Sequence, residues 1–336
     1  MLIDKFKLYN IIINIYKVEC CRIMNGGWKQ MVKYIGKRLL TSLITIWAVV
    51  TIVFFLVRMM PGGPFDGEKI TPEMKAQLNE KYGLDKPVGE QYTIYMSNLL
   101  KGDFGKSMKY KGRDVLTTIE KSFPNSAKVG VVSIIFSVVV GVALGIIAAL
   151  KADKWPDRVC MILSTIGITI PSFVMGTFLI FIFTYQMKGF LPATGLSKPT
   201  NYIMPVIALS GSSMAFITRL TRSKLIDVLK SDYIRTAKAK GLSGRTVVFK
   251  HALRNSLIPV VTYLGPLVAG VLTGSFVVEK IFAIPGLGNE FTLSITNRDY
   301  TSLLGVTAFY CTLIVVCNLL VDIVYVLIDP RIKLEG

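Results

Sequence analysis

A single histidine, His251, stands in 336 residues, and no cysteine forms a CxxC pair. One imidazole without a partner excludes most histidine-based metal sites. The five cysteines are Cys20, Cys21, Cys160, Cys311 and Cys317, and their spacing gives neither a disulfide framework nor a zinc site. The last three sit in apolar runs, where cysteine behaves as a small apolar side chain. Charge is scarce as well: 18% of residues, against about 25% in an ordinary soluble domain. Acids are the scarcer sign, 21 against 39 lysines and arginines, for a net charge of +18. A phosphate-binding loop is missing too. The segment "GDFGKS" (102–107) ends like one, but Leu100 stands where its first glycine is required, and with no other such loop the chain cannot power itself with ATP alone. No internal repeat or low-complexity tract is evident.

What the chain does have is long uncharged runs. Mean hydropathy is +0.53, and about 20 apolar residues suffice to span a bilayer. Six runs qualify: 39–57, 129–150, 159–187, 199–218, 255–278 and 300–321. The fourth, with Pro205, Gly211 and several serines, is the weakest of them. An all-α polytopic membrane protein with six transmembrane helices follows. Lys33, Lys37 and Arg38 precede the first run, which assigns the N-terminus to the cytoplasm by the positive-inside rule. Segments 151–158, 219–254 and the C-terminal tail are then cytoplasmic as well. The charges agree: 219–254 holds ten basic residues against two acids, whereas 61–128 holds eleven against nine.

Four units are expected. Residues 1–30 form an N-terminal extension, 31–60 the first transmembrane helix, 61–128 an extracytoplasmic helical loop, and 129–336 a five-span core. The extension reads either as an interfacial helix, with Ile11, Ile12 and Ile15 against lysines, or as untranslated sequence ahead of initiation at Met31. The second is the expectation adopted. In the outer loop, "TPEMKAQLNEKYG" places Thr71 as N-cap, Pro72 in the first turn and Gly83 as stop, and "VGEQYTIYMSNLLKG" stops at Gly102.

Within the spans, "GVALG" sets Gly141 and Gly145 on one face, a pattern for close helix packing. Pro171, Pro205, Pro259 and Pro266 are candidates for helix breaks along a transport path. Any one of them has an ordinary reading, since neighbours in a bundle re-satisfy the freed carbonyls. Asp322, at the end of the last run, is assigned a structural role at the inner interface rather than a proton relay.

The segment "DYIRTAKAKGLSGRTVVFKHALRN" (232–255) is the most specific feature. On a helix from Ser223 to Lys240, Ile226, Leu229, Tyr233, Ile234 and Ala237 recur at i, i+3, i+4 spacing. Gly241 suits a left-handed helix stop, and Leu242-Ser243 a staple and N-cap for a second helix. A helix–glycine–helix hairpin is therefore expected over 223–254. A plain basic loop would account for the charge but not for the glycine. Nucleic-acid binding is disfavoured, because the interleaved apolar residues suit a protein groove better.

This segment resembles the cytoplasmic signature loop of permease subunits in bacterial ABC importers, in the peptide and nickel variant. The resemblance extends over nearly all of 31–336 through "FFLVRMMPGGP", "YGLDKPVGEQY", "LLKGDFGKS", "PSFVMG", "IFAIPGLGNEF", "NRDY" and "NLLVDIVYVLIDPRIK". Of the loop pattern general to ABC importers only Ala237, Gly241 and Leu253 fit; the remainder matches the subfamily. The resemblance implies a permease in the bacterial cytoplasmic membrane, working with a homologous second permease, two cytoplasmic ATP-binding subunits and an external substrate-binding protein. ATP would be used by those subunits, with no cofactor, metal or catalytic residue on this chain. Residues Tyr233, Ile234, Arg235, Thr236, Ala237, Lys238, Ala239, Lys240, Gly241 and Leu242 would couple it to the ATPases, the apolar stripe docking into an ATPase groove. Peptides are the expected substrate, with nickel or another small solute as the alternative. An autonomous channel or secondary carrier is the rival of another class; it would need intramembrane charges or a selectivity ring, which apart from Asp322 this chain lacks.

Overall fold

The computed structural model describes residues 36–66, 70–272 and 276–328, with the side chains of 272 and 321–328 outside the description. The N-terminal extension 1–30 and the last residues of the tail therefore lie outside it, as does the Asp322 side chain. Among the described residues there is no β-strand, only an isolated bridge between Lys106 and Asp114.

The first helix, α1 (Gly36–Met59), is long and apolar enough to cross a membrane. The segment after α1 then forms the two helices expected of it. Helix α2 (Pro72–Lys81) starts where the Thr71 hydroxyl accepts the Met74 amide at 3.3 Å, and ends before Gly83, whose φ is +63°. Helix α3 (Val88–Leu100) ends before Gly102, at φ +79°.

Helix α4 (Val115–Leu150) begins earlier than the uncharged run that marks it. The Asp114 carboxylate caps it by accepting the Leu116 amide at 3.3 Å, so the mixed-polarity stretch 115–128 is a helical extension rather than loop. One face of α4 is a buried row of small residues, Ser122, Ser126, Gly130, Ser133, Ser137, Gly141 and Gly145. Against it lies α7 (Ile203–Leu229), preceded by a 3₁₀ turn, Pro199–Tyr202. A Cβ on Gly141 would meet the Met214 carbonyl oxygen at 2.9 Å, and one on Gly145 the Thr218 carbonyl oxygen at 2.8 Å. The two backbones approach that closely because those side chains are absent.

Helices α5 (Trp155–Thr169) and α6 (Ser172–Ile180), the latter extended by a π turn (Phe181–Gln186), form one apolar stretch bent by 104°. The bend falls at Ile170, whose backbone is extended as the position before Pro171 requires. A Cβ on Gly167 would come 2.7 Å from the Gly211 carbonyl oxygen, so α5 also lies tight against α7. Beyond α7 come α8 (Asp232–Ala239), α9 (Gly244–Thr246), a π segment (Val247–Ala252) and α10 (Leu253–Ser256). Helix α11 (Ile258–Leu272), α12 (Phe276–Ile281), α13 (Leu287–Thr296) and α14 (Tyr300–Ile328) complete the chain.

By length and composition α1, α4, the Pro199–Leu229 stretch and α14 each suffice to cross a membrane, and the bent α5–α6 pair would make a fifth if counted as one span. Helix α11 is apolar but shorter. Of the four prolines expected to break helices, Pro171 stands at the 104° bend. Pro205 and Pro259 sit in the first turns of α7 and α11, where the missing amide hydrogen has no intrahelical partner to lose. Pro266 lies inside α11.

Candidate functional site

The basic hairpin is built from the end of α7 outward. The helix expected over Ser223–Lys240 is in fact two. Helix α7 stops at Leu229, and Ser231 is extended (φ −71°, ψ 155°) with its hydroxyl donating to the Val228 carbonyl at 2.6 Å. Helix α8 then turns back, so that Ile234 and Ala237 are buried against Ala149, Leu225, Val247 and Ala252 of the same chain. Ile234 and Ala237 of the stripe expected to dock on a partner are thus consumed internally, while Tyr233 of the same stripe stays exposed. The open side of α8 and the turn carries Tyr233, Arg235, Thr236, Lys238, Ala239, Lys240, Gly241 and Leu242.

Gly241 has φ +76°, and its amide donates to Lys238 while Leu242 donates to Ala237, which closes the helix end. No atom lies within 4 Å of where its Cβ would be. Backbone angle, not space, therefore selects glycine here. Ser243 caps the next helix by accepting the Thr246 amide, and the Asn255 amide side chain donates to the Tyr233 hydroxyl at 2.9 Å across the hairpin.

Beneath the hairpin lies a contact that sequence reading missed. Asp157, buried in the first turn of α5, receives Nε and Nη2 of Arg222 at 2.6 Å each, in the bidentate geometry that makes such pairs strong. The Asp153 amide donates to the same carboxylate at 2.9 Å, and Arg219 reaches the Thr165 hydroxyl at 2.7 Å. An acid two positions after the start of a helix was the available signal; which cation it meets, 65 residues on, was not.

Outside the hairpin, two buried carboxylates join the segment after α1 and helix α13 to the rest of the bundle. Asp299 accepts the amides of Met108 (3.1 Å) and Ser302 (3.2 Å) and the hydroxyls of Ser107 and Ser302. The serine of "GDFGKS" thus serves as a junction to the start of α14, and Gly105 beside it has φ +79°. Glu279 performs the corresponding task for α13. It accepts the Asn289 amide at 3.1 Å and is further hydrogen-bonded by the Gly288 amide and the Ser126 hydroxyl, which itself accepts the Leu287 amide at 2.8 Å. Burial pushes the Glu279 carboxyl above the ordinary glutamate range, against the opposing pull of those hydrogen bonds. A Cβ on Gly286 would stand 2.4 Å from the Glu279 Oε2. Among the described residues no group of three or more His, Cys, Asp or Glu is placed to hold a metal ion.

The profile described as "Binding-protein-dependent transport system inner membrane component" matches residues 141–334, and its N-terminal companion matches residues 31–143. The chain belongs to this family. It is 45% identical over 306 residues to the dipeptide transport system permease protein of Bacillus subtilis, covering 91% of this chain and 99% of that one. The oligopeptide transport system permease protein of Haemophilus influenzae is also 45% identical over 306 residues, covering 90% of this chain and all of its own length. The inward-facing methionine ABC transporter MetNI shares the fold of this inner membrane component, with a TM-score of 0.54 at 17% identity over 64% of this chain and 97% of the solved one.

Proposed function

We infer that this inner membrane component is one permease subunit of a peptide-importing ABC transporter. The carrying observation is the 45% identity to dipeptide and oligopeptide permeases along essentially their whole lengths. In this reading α1, α4, the bent α5–α6 pair, α7, α11 and α14 are six spans in the bacterial cytoplasmic membrane, with both ends in the cytoplasm. Charge supports that orientation, because the net +8 of segment 219–254 would otherwise face outward. The chain supplies half of the translocation path; a homologous permease supplies the other half. Pro171 at the bend, together with Pro205, Pro259 and Pro266, belongs to helices that border that path.

Of two cytoplasmic ATP-binding subunits one docks on the hairpin, and an external substrate-binding protein delivers peptide to the outer face. Coupling is conformational. Nucleotide-bound ATPases bind one arrangement of the permeases better than the other, and hydrolysis removes that preference. The docking surface on this chain is the exposed side of α8 and the Gly241 turn, from Tyr233 to Leu242, since Ile234 and Ala237 are already occupied. The test is reconstitution of the chain in liposomes with its partner permease, ATPases and binding protein. Dipeptide or oligopeptide uptake that requires ATP supports the reading. ATP-driven uptake of nickel with no response to peptides would overturn the substrate, and solute flux by this chain without ATPases would overturn the class.

A further inference from the structure

Helix α3 has one side chain charged at neutral pH, Glu90, in thirteen residues, and it does not sit clear of the bundle. It lies along the C-terminal half of α1. The Tyr92 hydroxyl is 2.8 Å from the Thr51 hydroxyl, the Tyr92 ring stacks on Phe55 at 5.7 Å, and the Tyr95 ring stacks on Phe54 at 5.7 Å. Thr51 is eight residues from the end of α1 at Met59, about 12 Å along the axis at 1.5 Å per residue. If α1 crosses a hydrocarbon layer about 30 Å thick, Tyr92 meets it well inside that layer.

The surface leading away from this contact is apolar. Tyr92, Met96 and Leu100 follow one another at i, i+4, i+8 and so form a single ridge along α3. The ridge begins against Phe55, which is 42% exposed on the same flank of α1 as Ile52 and Leu56, and it ends on Leu100 at 84% exposure. Glu90 and Asn98 point away from that ridge by helical spacing, and Lys101 follows its end. A tyrosine-bearing helix with an apolar ridge continuous with the side of a spanning helix, and a lysine at its tip, fits the outer lipid leaflet. A soluble partner would instead meet a face separate from the side of α1.

We propose that α3 is a lipid-seated helix: the Tyr92–Met96–Leu100 ridge contacts acyl chains of the outer leaflet and fixes the outer segment at a set depth against the membrane. This rests on α1 being a span, and the experiment separates the two. Spin labels are placed singly at Leu56, Leu100, Asn98 and Glu73 in the assembled transporter in liposomes, with native cysteines replaced. Collision rates with oxygen, which concentrates in lipid, and with a water-soluble nickel chelate are compared. The label at Leu100 is expected to match Leu56, with a several-fold higher oxygen-to-nickel ratio than Asn98 and Glu73. A Leu100 ratio equal to that of Glu73 while Leu56 reads as lipid overturns the proposal alone; a Leu56 ratio equal to Glu73 overturns the span and the proposal together. A Leu100 label that becomes shielded only on adding the external binding protein assigns the ridge to that protein and overturns the lipid assignment. Leu100→Trp, made with native cysteines intact, provides a second reading. Brominated acyl chains should quench the added fluorescence by at least half, and no added quenching overturns the proposal.

Discussion

Gly241 shows what a single residue can be tested for. Its φ of +76° and the open space around it separate backbone strain from crowding. Gly241→Val puts a β-branched residue into a left-handed conformation, at a cost of about 1–2 kcal/mol or more. The expected result is normal membrane abundance with ATPase co-purification and uptake largely lost. Gly241→Asn, which tolerates positive φ, should keep most of both. If Lys238→Ala with Lys240→Ala abolishes assembly while Gly241→Val does not, charge and not turn geometry carries the docking, since exposed pairs contribute only about 0–1 kcal/mol each. Glu279 carries a pH prediction. Its native carboxyl holds a proton at pH values where the unfolded chain has released it, so stability falls as pH rises through that window. Thermal midpoints of the purified transporter should decline, as pH rises above the ordinary glutamate value of about 4.3, more steeply in the parent than in Glu279→Gln. Parallel slopes would show that Glu279 titrates in its ordinary range.

At the scale of elements, legibility followed the range of the interaction that decides each feature. Thr71, Ser243, Gly83 and Gly241 were readable because a cap or a positive φ is decided within four residues. The stop of α7 at Leu229 was not, because apolar spacing runs on through Ile234 and Ala237, and only the presence of Ala149 and Val247 explains why α8 turns back. Nor could sequence show that the serine of "GDFGKS" meets Asp299, 192 positions away. "GVALG" was read as a packing face; its partner, α7, came only with the fold. That contact is testable by size. Gly145→Ala would place a Cβ 2.5 Å from the Thr221 Cβ, and overpacking of this kind costs about 1–3 kcal/mol. Gly270→Ala, with nothing within 4 Å, should leave the thermal midpoint unchanged or raise it slightly. Equal midpoints for the two variants would show that α4 and α7 separate easily. The Asp157–Arg222 pair belongs to the same scale, since it pins the start of α5 to α7. Asp157→Asn leaves Arg222 without its carboxylate. The expected loss approaches the lower end of the ~3–5 kcal/mol for buried pairs, because the guanidinium is 25% exposed.

For the whole molecule the orientation is the decisive property. Thiols introduced at Lys86 and Lys121, both exposed, should react with an impermeant reagent added to intact cells, and one at Lys238 should react only after the membrane is opened. Reaction at 238 in intact cells inverts the topology and removes the hairpin from the ATPases. Composition was enough to indicate a polytopic helical protein, because long uncharged runs have few soluble solutions. The extent of the helices was less readable: α4 gains a polar-flanked extension through the Asp114 cap, and Pro199–Leu229 continues past its uncharged run into basic residues.

The glycine-lined approach of α4 to α7 has a mechanical meaning. Where main chains touch, little side chain remains to rotate or compress, so the pair answers a force as one stiff rod. Helix α7 has 27 residues, a length of about 40 Å, and its end carries the seat of α8. A tilt of about 5° applied there would swing the far end by roughly 3.5 Å, undamped by rotamer changes, given that length. A transporter needs such a lever to be rigid along its length and compliant only at its fulcrum. The neighbouring α5–α6 stretch carries a bend of 104°, just before Pro171.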